Sequence, residues 1–557
     1  MKGSLKMIYV VFAFCLAAAI ASPAQATFTT LLSFTAAEQN PAAALIQATD
    51  GNFYGTTANG GHYGHGTVFK ITPGGTLTRV YSFGNNGGAY PTGALVQSAN
   101  GNFYGTTLRS GGDGAFPGTV FRMTPGGVLT VLHYFCGQPN CSDGFYPYAG
   151  LMLGSDGDFY GATQGGGAIT PNCYYWCGTV FKITAGGTLT TLHSFDGTDG
   201  ADPDAGLIPV PDGGNYYGTT SGHSAAIPYS TCPSSCGTVF RITPAGALIV
   251  VHSFDGTDGS NPTAELVHGS DGNFYGTTST GGASSNCTGG CGTVFKITPG
   301  GILTTLHSFD GSAGDGSSPQ AGLVQGTDGN FYGTTSGGNG TIFRITPTGN
   351  ITTLYNFDAG EGSSPMGALL QGTDGNFYGT TYWGGAYNYG TIFKLSVGLG
   401  PFVTSQTYSG KEGANVIILG NNLTGATGVS FSGTAATTFT VVSASEITAT
   451  VPAGATTGKI QVTTPGGTLT SNKPFYVTPQ VLSFTPASGP VGTSVQITGT
   501  GLTQTKVVTF GGVEATSFTA NSDTQITATV PTGAVTGRVV VSTPGGTAWS
   551  ASNFTVQ

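Results

Sequence analysis

The stretch "SDGNFYGTTSTGG", residues 270–282, is one of seven near-copies of a single phrase in a chain of 557 residues. The copies place their first glycine at Gly51, Gly101, Gly157, Gly214, Gly272, Gly329 and Gly375, at spacings of 46 to 58 residues. A period of that order marks an architecture built by repeating one supersecondary unit. Around the quoted copy the unit holds four segments: "AELVHGS" (264–270), "NFYGTTS" (273–279), "GTVFKIT" (292–298) and "ILTTLHSF" (302–309). Asp-Gly, a loop of variable length, Pro-Gly-Gly and a second variable loop separate them. Short segments rich in Val, Ile, Thr and aromatics, bounded by glycine turns, read as strands. Seven units of four strands read as the blades of a β-propeller.

The ends of the repeat region favour a ring over an open stack. The seventh unit stops at "GTIFKLSVGL" (390–399) without a fourth strand, while "TFTTLLSF" (27–34) stands ahead of the first unit and matches "LTTLHSF". Pairing that leading strand into the last blade leaves no exposed sheet edge. The expected fold class is therefore all-β, with a seven-bladed β-propeller over residues 27–400 closed by strand 27–34.

Comparing the copies separates scaffold from chemistry. The phrase's Asp (Asp50, Asp156, Asp271, Asp328, Asp374) becomes Asn100 in the second copy. A tight turn accepts either residue, whereas a metal site would lose a charged ligand. The Phe-Tyr pair points to opposite faces of its strand, as a blade covered on both sides requires. His133, His193, His252 and His307 share a fourth-strand position with Tyr81, Tyr355 and Leu32, which indicates packing rather than catalysis. Lys70, Arg122, Lys182, Arg241, Lys296, Arg344 and Lys394 share a third-strand position near the Asp-Gly turns and are expected to pair with their Asp residues.

Only 7% of residues are charged and the net charge is −9, a surface ill-suited to nucleic acid. Residues 1–26 have the basic, apolar and small-residue order of a signal peptide, with cleavage expected after Ala26. No later run is apolar enough for a membrane span. Beyond Cys15, eight cysteines form close pairs: Cys136/Cys141, Cys173/Cys177, Cys232/Cys236 and Cys287/Cys291. In an exported chain these read as four local disulfides.

The fixed turns lie at one end of the strands and the variable loops at the other, so a binding surface belongs on the loop face. Two loops concentrate aromatics there: Tyr174, Tyr175 and Trp176 in "CYYWC" (173–177), and Tyr382, Trp383, Tyr387 and Tyr389 in "YWGGAYNY" (382–389). Such rings suit the apolar faces of sugars, and an extracellular glycan or surface polymer is the expected partner. Asp196, Asp199, Asp202 and Asp204, with Asp255 and Asp258 in the next unit, offer oxygen ligands for structural calcium. Turn formation by the same residues is the alternative, and no other cofactor is expected.

From Pro401 the composition shifts to Thr and Val without cysteine. "ASEITATVPAGATTGKIQVTTPGGT" (444–468) aligns with "DTQITATVPTGAVTGRVVVSTPGGT" (523–547), giving two β-sandwich modules, 401–478 and 479–557. They resemble immunoglobulin-like IPT/TIG domains, which implies spacers in extracellular or cell-surface proteins. Through "DGNFYGTT…GTVFKITPGG" the repeat region resembles the Gloeo/Verruco tandem-repeat proteins of bacteria. That resemblance implies a surface-associated role without an established reaction. The expected function is a secreted or cell-surface, non-enzymatic binding or adhesion protein. The alternatives are a polysaccharide hydrolase or lyase and a self-assembling surface-layer component. Glycoside hydrolysis requires two carboxylates about 5 to 10 Å apart, and the inter-blade Glu38, Glu265 and Glu361 have no partners visible in the sequence.

Overall fold

A computed structural model describes residues 26–84, 87–111, 117–171, 173, 177–210, 214–222 and 236–557. Residues 27–396 form seven four-stranded antiparallel sheets arranged as a propeller. Blade 1 runs outward through Ile46–Gln47, Phe53–Thr57, Thr67–Ile71 and Leu77–Ser82. Blade 7 uses Leu370–Gln371, Phe377–Thr381 and Thr391–Ser396, and its outermost strand is Thr27–Ser33. In blade 1, Val68 faces Tyr81 and then Phe69 faces Arg79, across a bulge. The closing pair repeats that register: Ile392 faces Leu32 and Phe393 faces Thr30.

The Phe-Tyr pair explains why the blades form a ring. Each tyrosine meets the first aromatic of the next blade: Tyr54–Phe103, Tyr104–Phe159, Tyr160–Tyr216, Tyr217–Phe274, Tyr275–Phe331, Tyr332–Phe377 and, at closure, Tyr378–Phe53. Centroid separations are 3.9 to 4.4 Å. A second set of seven contacts joins the outermost Phe of one blade to the third-strand Phe of the next, with Phe34–Phe69 as the closing member at 5.4 Å. Such pairs contribute about 0.5–1.5 kcal/mol each beyond the area they bury. The two threonines flanking the variable loop also bond in every blade, as Thr278 Oγ1 to Thr293 Oγ1 at 2.8 Å.

The turn Asp is scaffold. Asp271 Oδ1 accepts the Asn273 amide, and Tyr275 donates its hydroxyl to Oδ2 at 2.9 Å. Lys296 and Lys182 pair with Asp271 and Asp156 at 2.8 Å, and Lys70 approaches Asp50 at 3.9 Å. Where the turn holds Asn100, the Tyr104 hydroxyl is buried without a partner. An unmet buried hydroxyl costs about 1–3 kcal/mol. Asn100→Asp is therefore expected to raise stability by about 1 kcal/mol, read as a higher thermal midpoint; an unchanged midpoint would refute the assignment.

Residues 404–556 form two sandwiches of one topology, each a four-stranded sheet on a five-stranded sheet. Each has its own core, around Val416, Ile418, Phe431 and Ile460 in the first and Val495, Ile497, Phe510 and Val539 in the second. The first docks on the Asp-Gly end of the ring. Ser445 Oγ donates to the Thr49 carbonyl at 2.8 Å, Gln406 Nε2 to that of Gln97 at 3.1 Å, and Phe402 N to that of Thr373 at 3.0 Å. The variable loops thus open at the far end. Among the described residues, no helix is long and apolar enough to cross a membrane.

Candidate functional site

The residue before each inter-blade proline adopts a left-handed conformation: Asn40, Tyr90, Tyr146, Asp202, Asn261, Ser318 and Ser364, with φ between 53° and 62°. In an L-residue that backbone is strained, and its sevenfold recurrence shows what it serves. Tyr90 donates its amide to His65 of the preceding blade at 2.9 Å and accepts from Leu108 of its own blade at 3.0 Å. Asn40 makes the same clasp at the closure, to Tyr389 at 2.9 Å and from Ala58 at 3.0 Å. The clasp fixes the residues just after the proline and just after the second strand around the axis of the loop face.

Those two sets build a cavity of about 490 Å³ at that face, lined by Ala42, Ala58, Asn59, Tyr90, Thr92, Leu108, Arg109, Tyr148, Met366 and Tyr382. They come from blades 7, 1, 2 and 3. The Arg109 guanidinium lies over the Tyr90 ring at 5.3 Å. Tyr382 packs edge-on against Trp383 at 5.0 Å. Trp383 is 43% exposed and is held by two backbone hydrogen bonds to Ser363. Tyr148 remains 42% exposed, and its hydroxyl pKa is raised by burial and then by the fields of Asp204 and Tyr382.

The remaining blades contribute polar groups. Ser221 Oγ donates to Asp204 Oδ2 at 2.6 Å, and the Gln164 side chain also hydrogen-bonds that carboxylate. Burial raises the Asp204 carboxyl pKa. Burial, and then the charge of Asp204, push Asp202 up to about 7. Glu265 stands three residues after its proline, where the other blades carry Ala44, Ala94, Gly150, Gly206, Gly322 and Ala368. The side chain is exposed and its carboxylate lies across Gly206 of the neighbouring blade. Desolvation by neighbouring protein raises its carboxyl to about 7, against the opposing charge of Lys473 from the first sandwich module.

Of the aromatics singled out from the sequence, Tyr382 lines the cavity, Trp383 adjoins it, and Tyr387 is exposed farther out on the same loop. Tyr389 instead packs against the closure core beside Phe34. Tyr174, Tyr175, Trp176 and Cys232 lie outside the described residues, as do residues 1–25. Disulfides join Cys136 to Cys141, Cys173 to Cys177 and Cys287 to Cys291, and Cys236 is also disulfide-bonded.

The six Asp considered for calcium are not brought together. Asp196 and Asp255 accept from Thr198 and Thr257, bonds that lower their pKa. Asp199 and Asp258 hold His193 and His252 at 2.6 and 2.7 Å. Asp202 belongs to the clasp, and Asp204 accepts from Ser221. Among the described residues, no three acidic, His or Cys side chains are placed to hold a metal ion. His133 and His307 bond Asp143 and Asp315 at 3.0 and 2.7 Å, so the four histidines anchor the loops that follow their strands. Glu38 pairs with Arg79, and Glu361 accepts from Tyr355.

Sequence reading missed Tyr90, Thr92, Arg109 and Tyr148 as cavity residues. A signal existed: they occupy positions that vary beside fixed ones, the proline in "YPTG" and "YPYA" and the paired threonines in "TTLR".

Comparison with solved structures gives distant likenesses. A surface glycan-binding protein from a xyloglucan utilization locus of Bacteroides uniformis is 22% identical, with a TM-score of 0.15, over 28% of this chain and 48% of that one. The chain thus spans about half of that protein's length. A surface glycan-binding protein of Prevotella bryantii is 19% identical, with a TM-score of 0.21, over 28% of this chain and 38% of that one. A fungal copper-bound alcohol oxidase is 13% identical, with a TM-score of 0.46, over 81% of this chain and 98% of that one. At these scores none bears on ligand or reaction. No curated protein matches the chain in sequence. The IPT/TIG family profile matches residues 479–557, and residues 401–478 share that module's strand order. The Gloeobacter/Verrucomicrobia repeat profile matches residues 20–229 and 227–442, and with the sevenfold phrase this shows that the chain belongs to that repeat family.

Proposed function

We propose that this protein is a non-enzymatic glycan-binding protein of the cell exterior, with its site in the axial cavity of the loop face and its two immunoglobulin-like modules as spacers. The observation that carries this reading is the aromatic wall of that cavity. Tyr90, Tyr148 and Tyr382 meet around an open space of about 490 Å³, at the end of the ring away from the docked module. Tyr rings offer sugars an apolar face and a hydroxyl together. The preformed clasp keeps the ordering cost of binding low. Local disulfides suit an oxidising location outside the cytoplasm.

Replacing Tyr148 and Tyr382 together by Ala is expected to weaken binding on a glycan array at least about 30-fold, the scale of losing a central aromatic anchor. Retained binding by the double variant would remove the cavity from consideration. The raised carboxyls of Asp202 and Asp204 favour one second reading, acid–base cleavage of a polysaccharide. Chain cleavage in the bound fraction, seen by product analysis, would replace binding with hydrolysis or elimination.

A further inference from the structure

We propose that the glycan taken by this cavity is acidic, a uronate whose carboxylate pairs with the Arg109 guanidinium while its sugar ring lies against the tyrosine wall. The inference rests on the glycan-binding reading and names the chemical class of its ligand.

Three observations point to an anion. The first is the charge of the cavity. The chain has 25 acidic residues against 16 basic ones, yet no acidic side chain lines the cavity, and Arg109 is the one charged residue that does. The carboxyl whose field reaches the Tyr148 wall is Asp204, and burial holds it toward its neutral form. The second is that the fold does not ask for an arginine here. Asn59, Gly165, Gly222, Thr280, Gly337 and Trp383 hold the same position in the other blades. Gly165, Gly222 and Thr280 form the same backbone bridge to the inter-blade segment as Arg109 does. Asn59, the other polar side chain at this position in the cavity wall, is engaged within the fold, donating to Asn40 Oδ1 at 3.2 Å. Lys70, Arg79, Lys182 and Lys296 each pair with a carboxylate. Among the described residues, Arg109 has no such partner.

The third observation is that Arg109 is held in place while its donors stay open. Its backbone exchanges two hydrogen bonds with Ala89, at 2.7 and 3.0 Å. Its guanidinium carbon lies over the Tyr90 ring, 5.3 Å from the centroid, and the clasp fixes the backbone of that tyrosine. Packing over a ring engages the face of a guanidinium, whereas its N–H donors lie in the plane. A carboxylate accepts two such donors side by side, and charge-assisted bonds are about twice as strong as neutral ones. A neutral sugar hydroxyl would meet the same donors with a weaker acceptor and leave the positive charge unanswered. In a uronate the carboxylate is attached directly to the sugar ring, so one residue of the ligand can use the aromatic wall and the cation together. The cavity volume of about 490 Å³ suits an occupant of that size.

The test is calorimetry of the full chain with oligosaccharides of galacturonate, mannuronate and hyaluronan, each beside its methyl ester, which keeps the sugar and removes the charge. The best acidic probe is expected to bind at least about tenfold tighter than its ester, the scale of one charge-assisted hydrogen bond. The repeats supply a variant the fold already accommodates: Arg109→Thr copies Thr280, and it should bring the acid down to the level of the ester. Arg109→Lys keeps the charge without the planar fork and should restore part of the preference. Equal affinities for acid and ester in the parent chain, a preference that survives Arg109→Thr, or failure of every probe to bind would each overturn the inference. The glycan-binding reading is judged separately, by the glycan array and the Tyr148/Tyr382 variant. Neutral glycans bound through those tyrosines, with no gain from a carboxylate, would leave it standing.

Discussion

A chain lacking Thr27–Ser33 is expected not to form a monomeric ring. The deletion removes the outermost strand of blade 7 and exposes the edge of Thr391–Ser396, whose backbone groups pair with it. It also removes Phe28, which stacks on Tyr355 at 3.9 Å and meets Phe393 at 5.3 Å. Leu395 and Ile392, both fully buried, lose their cover. Because the seven blades share one closed set of contacts, the loss falls at the joint between the first and last repeats. An open edge of this kind templates pairing with other chains. Size-exclusion chromatography should show aggregates or exchanged assemblies in place of a monomer, with the cooperative melt lost or strongly lowered. Adding a peptide covering residues 26–36 in trans should recover part of the monomer. A truncated chain that stays monomeric and melts like the parent would show that the ring does not depend on its latch.

The latch and the blades were legible in the sequence because their determinants repeat. The Phe-Tyr pair, the Asp-Gly turn and the Gly-Thr entry to the third strand each occur in nearly every copy, so chance matches cancel and the period stands out. The docked face was not legible: Ser445 and Gln406 reach the turn carbonyls through a contact that no repeat encodes. The His–Asp anchors escaped for a related reason. His193 and His252 bond an Asp six residues on, but His133 and His307 use ones ten and eight residues on, in loops of different length.

The cavity was half legible. Tyr382 was found through the density of aromatics in its loop. Tyr90 and Tyr148 sit in short inter-blade segments that look unremarkable one at a time. Asp202 and Asp204 were grouped with Asp196 and Asp199 because they are neighbours in sequence. The left-handed turn at Asp202 redirects the chain between the two pairs, and Asp204 bonds Ser221 of the second strand's end. Glu265 stood out as a glutamate but not as the one long side chain at a position, three residues after the inter-blade proline, where the other blades carry Ala or Gly.

Gly276→Ala is expected to destabilise the propeller by about 3 kcal/mol, at the upper end of what overpacking a core costs. The glycine lies in the second strand with ordinary extended backbone, so the cause is space rather than conformation. A Cβ there would fall 2.5 Å from Phe295 Cζ and 2.8 Å from Leu266 Cδ2. Phe295 has nowhere to retreat: it is fully buried, and Phe254 of the preceding blade contacts it at 5.2 Å. Gly272, four residues earlier, provides the contrast. Its φ is +80°, and a Cβ would meet nothing within 4 Å. Gly272→Ala should therefore cost only the conformational strain of a left-handed alanine, roughly 1 kcal/mol. Chemical denaturation of the two variants should rank Gly276→Ala well below Gly272→Ala. Adding Phe295→Leu to Gly276→Ala should give a double variant more stable than the sum of the two single losses, because the smaller side chain vacates the contested space. The reverse ranking, or strict additivity in that cycle, would mean that the glycine is not there to admit the phenylalanine. The reason for its presence in all seven blades would then have to lie in the backbone.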